Sequence, residues 1–170
     1  MKALKALRAG AIGPFSGFRW PTPGDGPGRW VAASPSPCAS GVHACLRGQL
    51  PLWLHDELWE IELGGAVTTL ERKVVAPRGR LVRRVEGWDA RAFADYGQAC
   101  LDRLEALAEG HAEVRGYAAD GRVILAQDEP LVVALAAARA AEVVSGPEAY
   151  DEERAWQADW LAARLGLDAG

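Results

Sequence analysis

The apolar residues of this chain change their spacing once, near Trp88. Before it they alternate in short runs cut by glycine and proline. After it they recur every three or four residues to the end. A period of two places side chains on one face of a strand, and a period near 3.6 places them on one face of a helix. A chain with the first pattern followed by the second folds as a sheet and then helices, not as interleaved βαβ units. The expected class is α+β. A small, mostly antiparallel β-sheet domain with one short helix is expected over residues 1–86, and a bundle of three or four helices over residues 87–170. At 170 residues the chain is long enough to bury a core without disulfide or metal staples.

Within the first part, Leu4 and Leu7 mark a short strand or helical turn, and Phe15, Phe18 and Trp20 are expected to anchor the glycine-rich segment that follows. Pro21 to Gly28 has loop chemistry at nearly every position. Arg29 to Ala33, Val42 to Cys45, Val67 to Val75 and Arg80 to Val85 read as strands, and Pro51 as the first turn of a short helix over 52–57. Leu58 to Leu63 alternates cleanly, with Leu58, Glu60 and Glu62 on one face and Trp59, Ile61 and Leu63 on the other. In the second part, Asp89 is placed to cap a helix that carries Phe93, Tyr96, Cys100, Leu101 and Leu104. Residues 111–127 fit a helix or an Asp120-Gly121 hairpin; the neighbouring helices favour the helix, and the choice stays open. Leu131 to Val144 is apolar nearly all round, so a helix buried on several sides is expected, ended by Gly146. Pro147 opens a last helix in which Trp156, Trp160, Ala163 and Leu167 form one stripe, flanked by Leu161 and Leu165.

The net charge is −4, so no global field draws the chain to nucleic acid or to an anionic membrane. The run from Pro130 to Val144 is too short to span a bilayer, and the first eight residues lack the apolar centre of a signal peptide. A cytoplasmic location is expected. Three cysteines argue against a complete disulfide framework.

Four groups of residues could carry chemistry. Cys38, His43 and Cys45 are the first, since thiolates and imidazole suit zinc. A structural zinc site needs a fourth ligand, which would come from His55, Cys100, His111 or a carboxylate. The plainer reading is no metal and no cofactor, with Cys45 buried. Nucleophilic catalysis by Cys45 beside His43 lacks an orienting acid. Glu60 and Glu62 share a strand face, as an acid–base pair would. The segment from Arg72 to Arg84 holds six cations and no acid, so Arg78, Arg80 and Arg84 are candidate ligand-binding residues, with phosphate the natural ligand. Cross-strand pairing of those arginines with Glu60 and Glu62 is the competing explanation.

The phrases GPFSGFRWP, GVHAC, LPLWLHDELWEIEL, KVVAPRGRLVRRVEGWD and WQADWLAARLGL resemble a set of uncharacterised actinobacterial proteins. More distantly, Cys38, Gly41, His43, Cys45, Glu60 and Lys73 stand at places similar to those of a phage-associated family of unknown function. Neither resemblance implies an activity. The order of a Gly-x-His strand, a short helix and a Glu-bearing strand is also similar to the opening half of ADP-ribosyltransferase-like folds. That likeness implies a nucleotide held near His43, stacked by Trp53, with Glu60 or Glu62 acting at the ribose.

No nucleophile triad, full metal set or phosphate loop is present. The leading expectation is a non-enzymatic module that acts through contacts with a protein partner or with itself. A nucleotide-binding enzyme centred on His43 is the first alternative, and phosphate or nucleic-acid contact through the arginine ribbon the second.

Overall fold

The strand β1 (Lys2–Leu7) lies antiparallel to β4 (Glu57–Gly64), which in turn lies antiparallel to β7 (Arg78–Arg84). The short β2 (Val31–Ala32) adds to the outer edge of β7. A second sheet is formed by β3 (Val42–Ala44), β6 (Val74–Ala76) and β5 (Thr68–Thr69), in the order β3-β6-β5. Two links close the sheets on each other. Leu4 and Cys45 exchange both backbone hydrogen bonds at 2.8 Å, joining β1 to the end of β3. On the other side β6 runs into β7 through Pro77. The two linked sheets make a small barrel-like unit, with β2 and β5 as its outer strands. These features belong to a computed structural model that describes residues 1–34 and 40–167.

The barrel interior is filled by Ala3, Leu7, Val42, Ala44, Trp59, Ile61, Leu63, Val74, Ala76 and Leu81. Alternation along each strand selects this set, and the inward phase of β4 is the one its sequence predicts. Gly79 is required at one point: a Cβ there would lie 2.7 Å from Val42 Cγ1 and 3.1 Å from Ile61 Cδ1.

Two expectations in this region are corrected. The short helix is a 3₁₀ turn over Arg47–Leu52, and Pro51 lies in its second half. The Gln49 side chain holds it there, accepting from Leu46 N and donating to the carbonyls of Leu70 and Glu71. The chain is then extended early enough for Glu57 to begin β4. Of the three expected aromatic anchors only Trp20 is one. It is 6% exposed, whereas Phe18 is 46% and Phe15 88% exposed.

The chain divides into two compact units, and the second, Asp89–Gly166, is entirely helical in its regular structure. It holds α1 (Ala90–Gly110), α2 (Arg115–Ala126), α3 (Pro130–Ser145) and α4 (Pro147–Leu165). The molecule is thus α+β, with residues 111–127 helical. Asp89 caps α1 by accepting from Ala92 N at 2.8 Å. The stripe expected on α4 is displaced. Trp156 and Trp160 are half-buried and Ala163 is exposed, while Glu153, Gln157, Ala158, Leu161 and Ala162 are buried. The polar pair can enter because every polar atom finds a partner. Glu153 accepts from Arg103 Nε at 2.7 Å, Gln157 donates to the Ala134 carbonyl at 2.9 Å, and Tyr96 donates to Gln157 at 3.2 Å. Among the described residues no helix is long and apolar enough to cross a membrane.

Candidate functional site

The predicted site residues separate into several places. Alternation on β3 turns Val42 and Ala44 into the barrel core and sends His43 the other way. Its Nε2 is buried and has no hydrogen-bond partner among the described residues. Burial, then the charges of Lys73 and Lys5, lower its pKa against a backbone hydrogen bond with Ser40 that raises it, so the ring is neutral at pH 7. Cys38 lies outside the described residues. Cys45 is buried, its thiol donates to the Leu4 carbonyl at 3.5 Å, and burial pushes its pKa up to about 12, above any useful thiolate range. No group of three or more potential metal ligands occurs among the described residues. Trp53 is half-buried, with its indole N–H donating to the Arg72 carbonyl.

Glu60 and Glu62 meet the arginine ribbon instead of His43. Arg83 Nε donates to Glu60 at 2.9 Å, and Arg80 Nε to Glu62 at 2.7 Å. Arg80 and Arg83 are three residues apart, so strict alternation would put them on opposite faces of β7. A bulge prevents this. Glu60 pairs with Arg83 and Ile61 with Leu81, which leaves Val82 as the extra residue. Both arginines therefore reach the face that carries both glutamates. Arg78 and Arg80 also lie over the ring of Trp30, at 4.8 and 4.7 Å.

Arg84 behaves differently. The same bulge sets it opposite Trp59, on the inward face of the ladder at the end of the barrel. Its Nη1 is 3.8 Å from Glu57, beyond hydrogen-bond distance. Glu57 is buried in phase with Trp59, Ile61 and Leu63, and it is satisfied by uncharged donors. It accepts from Gly10 N at 2.9 Å, Ala11 N at 3.1 Å and the Trp59 indole at 2.9 Å. Burial pushes its pKa up, but those three hydrogen bonds and Arg84 together hold it below the usual carboxylate value. Gly10 and Ala11 both have positive φ, 78° and 58°. The carboxylate thus clamps a backbone conformation that costs an alanine about 1 kcal/mol or more.

Above this clamp opens a cleft of about 600 Å³, bounded by Arg19, Thr22, Glu57, Trp59, Arg84 and Glu86 among others. Glu57 and Arg19 escaped the sequence reading. The signal for Glu57 was present, since a carboxylate in register with an inward apolar set must find donors. Arg19 carried none, because its place depends on a turn.

That turn is the second exposed feature. Gly13 N donates to the Phe18 carbonyl at 2.8 Å and Gly17 N to the Gly13 carbonyl at 2.9 Å, while Ser16 Oγ accepts from Phe18 N at 3.2 Å. The Ile12–Arg19 bridge closes its base. Phe15 stands at the tip, edge-on to Trp53 with ring centroids 6.4 Å apart. Leu52, beside Trp53 in sequence, is 38% exposed.

The fold and these sites define an α+β protein with a clamped polar cleft and a projecting aromatic turn. No family, curated protein or solved structure matches this chain.

Proposed function

We propose that this protein is a non-catalytic, cytoplasmic binding module that docks onto a protein partner through the Phe15 turn. One observation carries the reading: a phenylalanine 88% exposed at the tip of a turn held by its own hydrogen bonds. Such a side chain gives the fold little burial, and a rigid aromatic loses little entropy on docking, the property of interface hot spots. Trp53 and Leu52 supply the neighbouring apolar surface. The chemistry of the remaining candidates supports a non-catalytic reading. Both described thiols are pushed up to about 12, and Glu60 and Glu62 are occupied by arginines. We extend the reading to the uncharacterised actinobacterial proteins that the chain resembles through the GPFSGFRWP phrase, which contains the turn.

The test compares wild-type protein with Phe15→Asp as baits in quantitative affinity capture, with Val123→Asp on α2 as a surface control. Phe15→Asp is expected to melt within about 1 °C of wild type, as exposed substitutions do, and to lose a partner that both other baits retain. Identical captures by all three baits, or a strict monomer that captures no partner, would remove the proposal.

A further inference from the structure

The cleft at the end of the barrel is separate from the Phe15 tip and asks for a different ligand. Its inner wall is an ion pair that is not closed. Glu57 takes its hydrogen bonds from Gly10, Ala11 and Trp59, so Arg84 is left 3.8 Å away, with its side chain 40% exposed. The guanidinium gains from the nearby charge, and among the described residues it makes no hydrogen bond, so its N–H groups are open to another acceptor. Arg19 stands in a similar position. Its guanidinium reaches the Gly10 carbonyl only at 3.4 Å, a weak contact on an exposed side chain. Gly10 connects the two: its carbonyl faces Arg19, its N–H is fixed by Glu57, and Glu57 faces Arg84. Arg83, the third guanidinium on the wall, is already taken by Glu60.

We propose that Arg19 and Arg84 form an oxyanion-binding site in this cleft, for the phosphate or carboxylate group of a small molecule. Guanidinium groups present paired N–H donors that match such groups in a bidentate fashion. The space, about 600 Å³ and open to solvent, is large enough for a metabolite-sized ligand. A cation is disfavoured, because the oxygens of the buried carboxylate already accept hydrogen bonds from Gly10, Ala11 and Trp59. Glu86 also lines the space and offsets part of the positive charge. The clamp on Gly10 and Ala11 prepares the site, since the backbone beside Arg19 is fixed before any ligand arrives.

The experiment follows the arginine Nε–H resonances of the full chain while inorganic phosphate, and separately acetate, is added at constant ionic strength made up with chloride. Saturable shifts of the Arg19 and Arg84 signals are expected with at least one anion, and which anion saturates identifies the group. Arg84→Met and Arg19→Met are each expected to weaken binding at least tenfold. Arg80→Met, outside the cleft, retains it, and Glu86→Gln tightens it. Melting curves establish that each variant is folded, and the two single-arginine variants serve as independent checks on each other. Shifts that stay linear with both anions, or that persist unchanged in folded Arg84→Met and Arg19→Met, overturn the proposal.

Discussion

At the scale of single residues, one buried and one half-buried charge carry opposite pH signatures. The pKa of Glu57 is lowered in the folded chain relative to an unfolded glutamate near about 4.3. The unfolded chain therefore takes up a proton first on acidification. The stabilisation is complete above that value and is lost as pH falls through the folded pKa. Glu57→Gln removes the charge and turns one acceptor into a donor facing a backbone N–H. It is expected to cost about 1–3 kcal/mol at pH 7 in urea unfolding, with the difference shrinking as the pH falls below the unfolded value. A pH-independent difference would show that the carboxylate charge is irrelevant.

Lys5 is the reverse case. It stands opposite Trp59, its ammonium donates to the His43 carbonyl at 2.6 Å and lies 4.7 Å from the Trp20 ring, and burial lowers its pKa to about 8. The unfolded amine titrates near about 10.4, so between those values the unfolded chain holds more protons and stability rises with pH. Below about 8 the folded state carries the whole cost of the charge. Lys5→Met should therefore compare more favourably with wild type at pH 7 than at pH 10.5, by up to about 3 kcal/mol. Parallel pH profiles for the two proteins would contradict this.

At the scale of elements, the bulge in β7 decides where the arginines go. Its trace is in the sequence: Glu60 and Glu62 are two apart, and Arg80 and Arg83, which must meet them, are three apart. Only a residue left out of the ladder reconciles the spacings. The same shift places Arg84 in the cleft. In the helical unit the decisive contact is at Gly97 of α1, where a Cβ would lie 2.4 Å from Pro130 Cβ and 2.7 Å from Leu125 Cδ1. Helix propensity alone would make Gly97→Ala stabilising by about 1 kcal/mol. The close approach of α1 to the start of α3 reverses the sign, and a net loss of about 1–3 kcal/mol is expected in thermal or denaturant melts. A gain would mean that α3 can move aside freely.

At the scale of the whole molecule, each unit carries one buried thiol among the described residues, Cys45 in the barrel and Cys100 on α1. Burial pushes both pKa values up to about 12, so neither is a ready nucleophile in the folded state. In a Cys38→Ser background, alkylation followed by peptide mass spectrometry reads each unit through its own thiol. Neither site is expected to react without denaturant over a time in which a free thiol reacts fully, and each becomes labelled only as its own unit unfolds. Rapid labelling of Cys45 in native protein would mean that the barrel opens locally. Much of this organisation could be read from spacing alone. The change of period near Trp88, the inward phase of Trp59, Ile61 and Leu63, the cap at Asp89 and the break at Gly146 are local consequences of backbone geometry and solvent exclusion. The stripe on α4 could not be read that way, because Glu153 and Gln157 are buried against partners on Arg103, Ala134 and Tyr96, far away in the chain. Nor could the cleft, whose walls come from a turn near residue 10 and a strand ending at Arg84. The sequence by itself determined the class of fold and the faces of its elements, since those depend on neighbours a few residues apart. Beyond the pairing of Glu60 and Glu62 with arginines, which charges are satisfied and which are left open was decided by tertiary structure, because that depends on which distant donors the fold brings within reach of each acceptor.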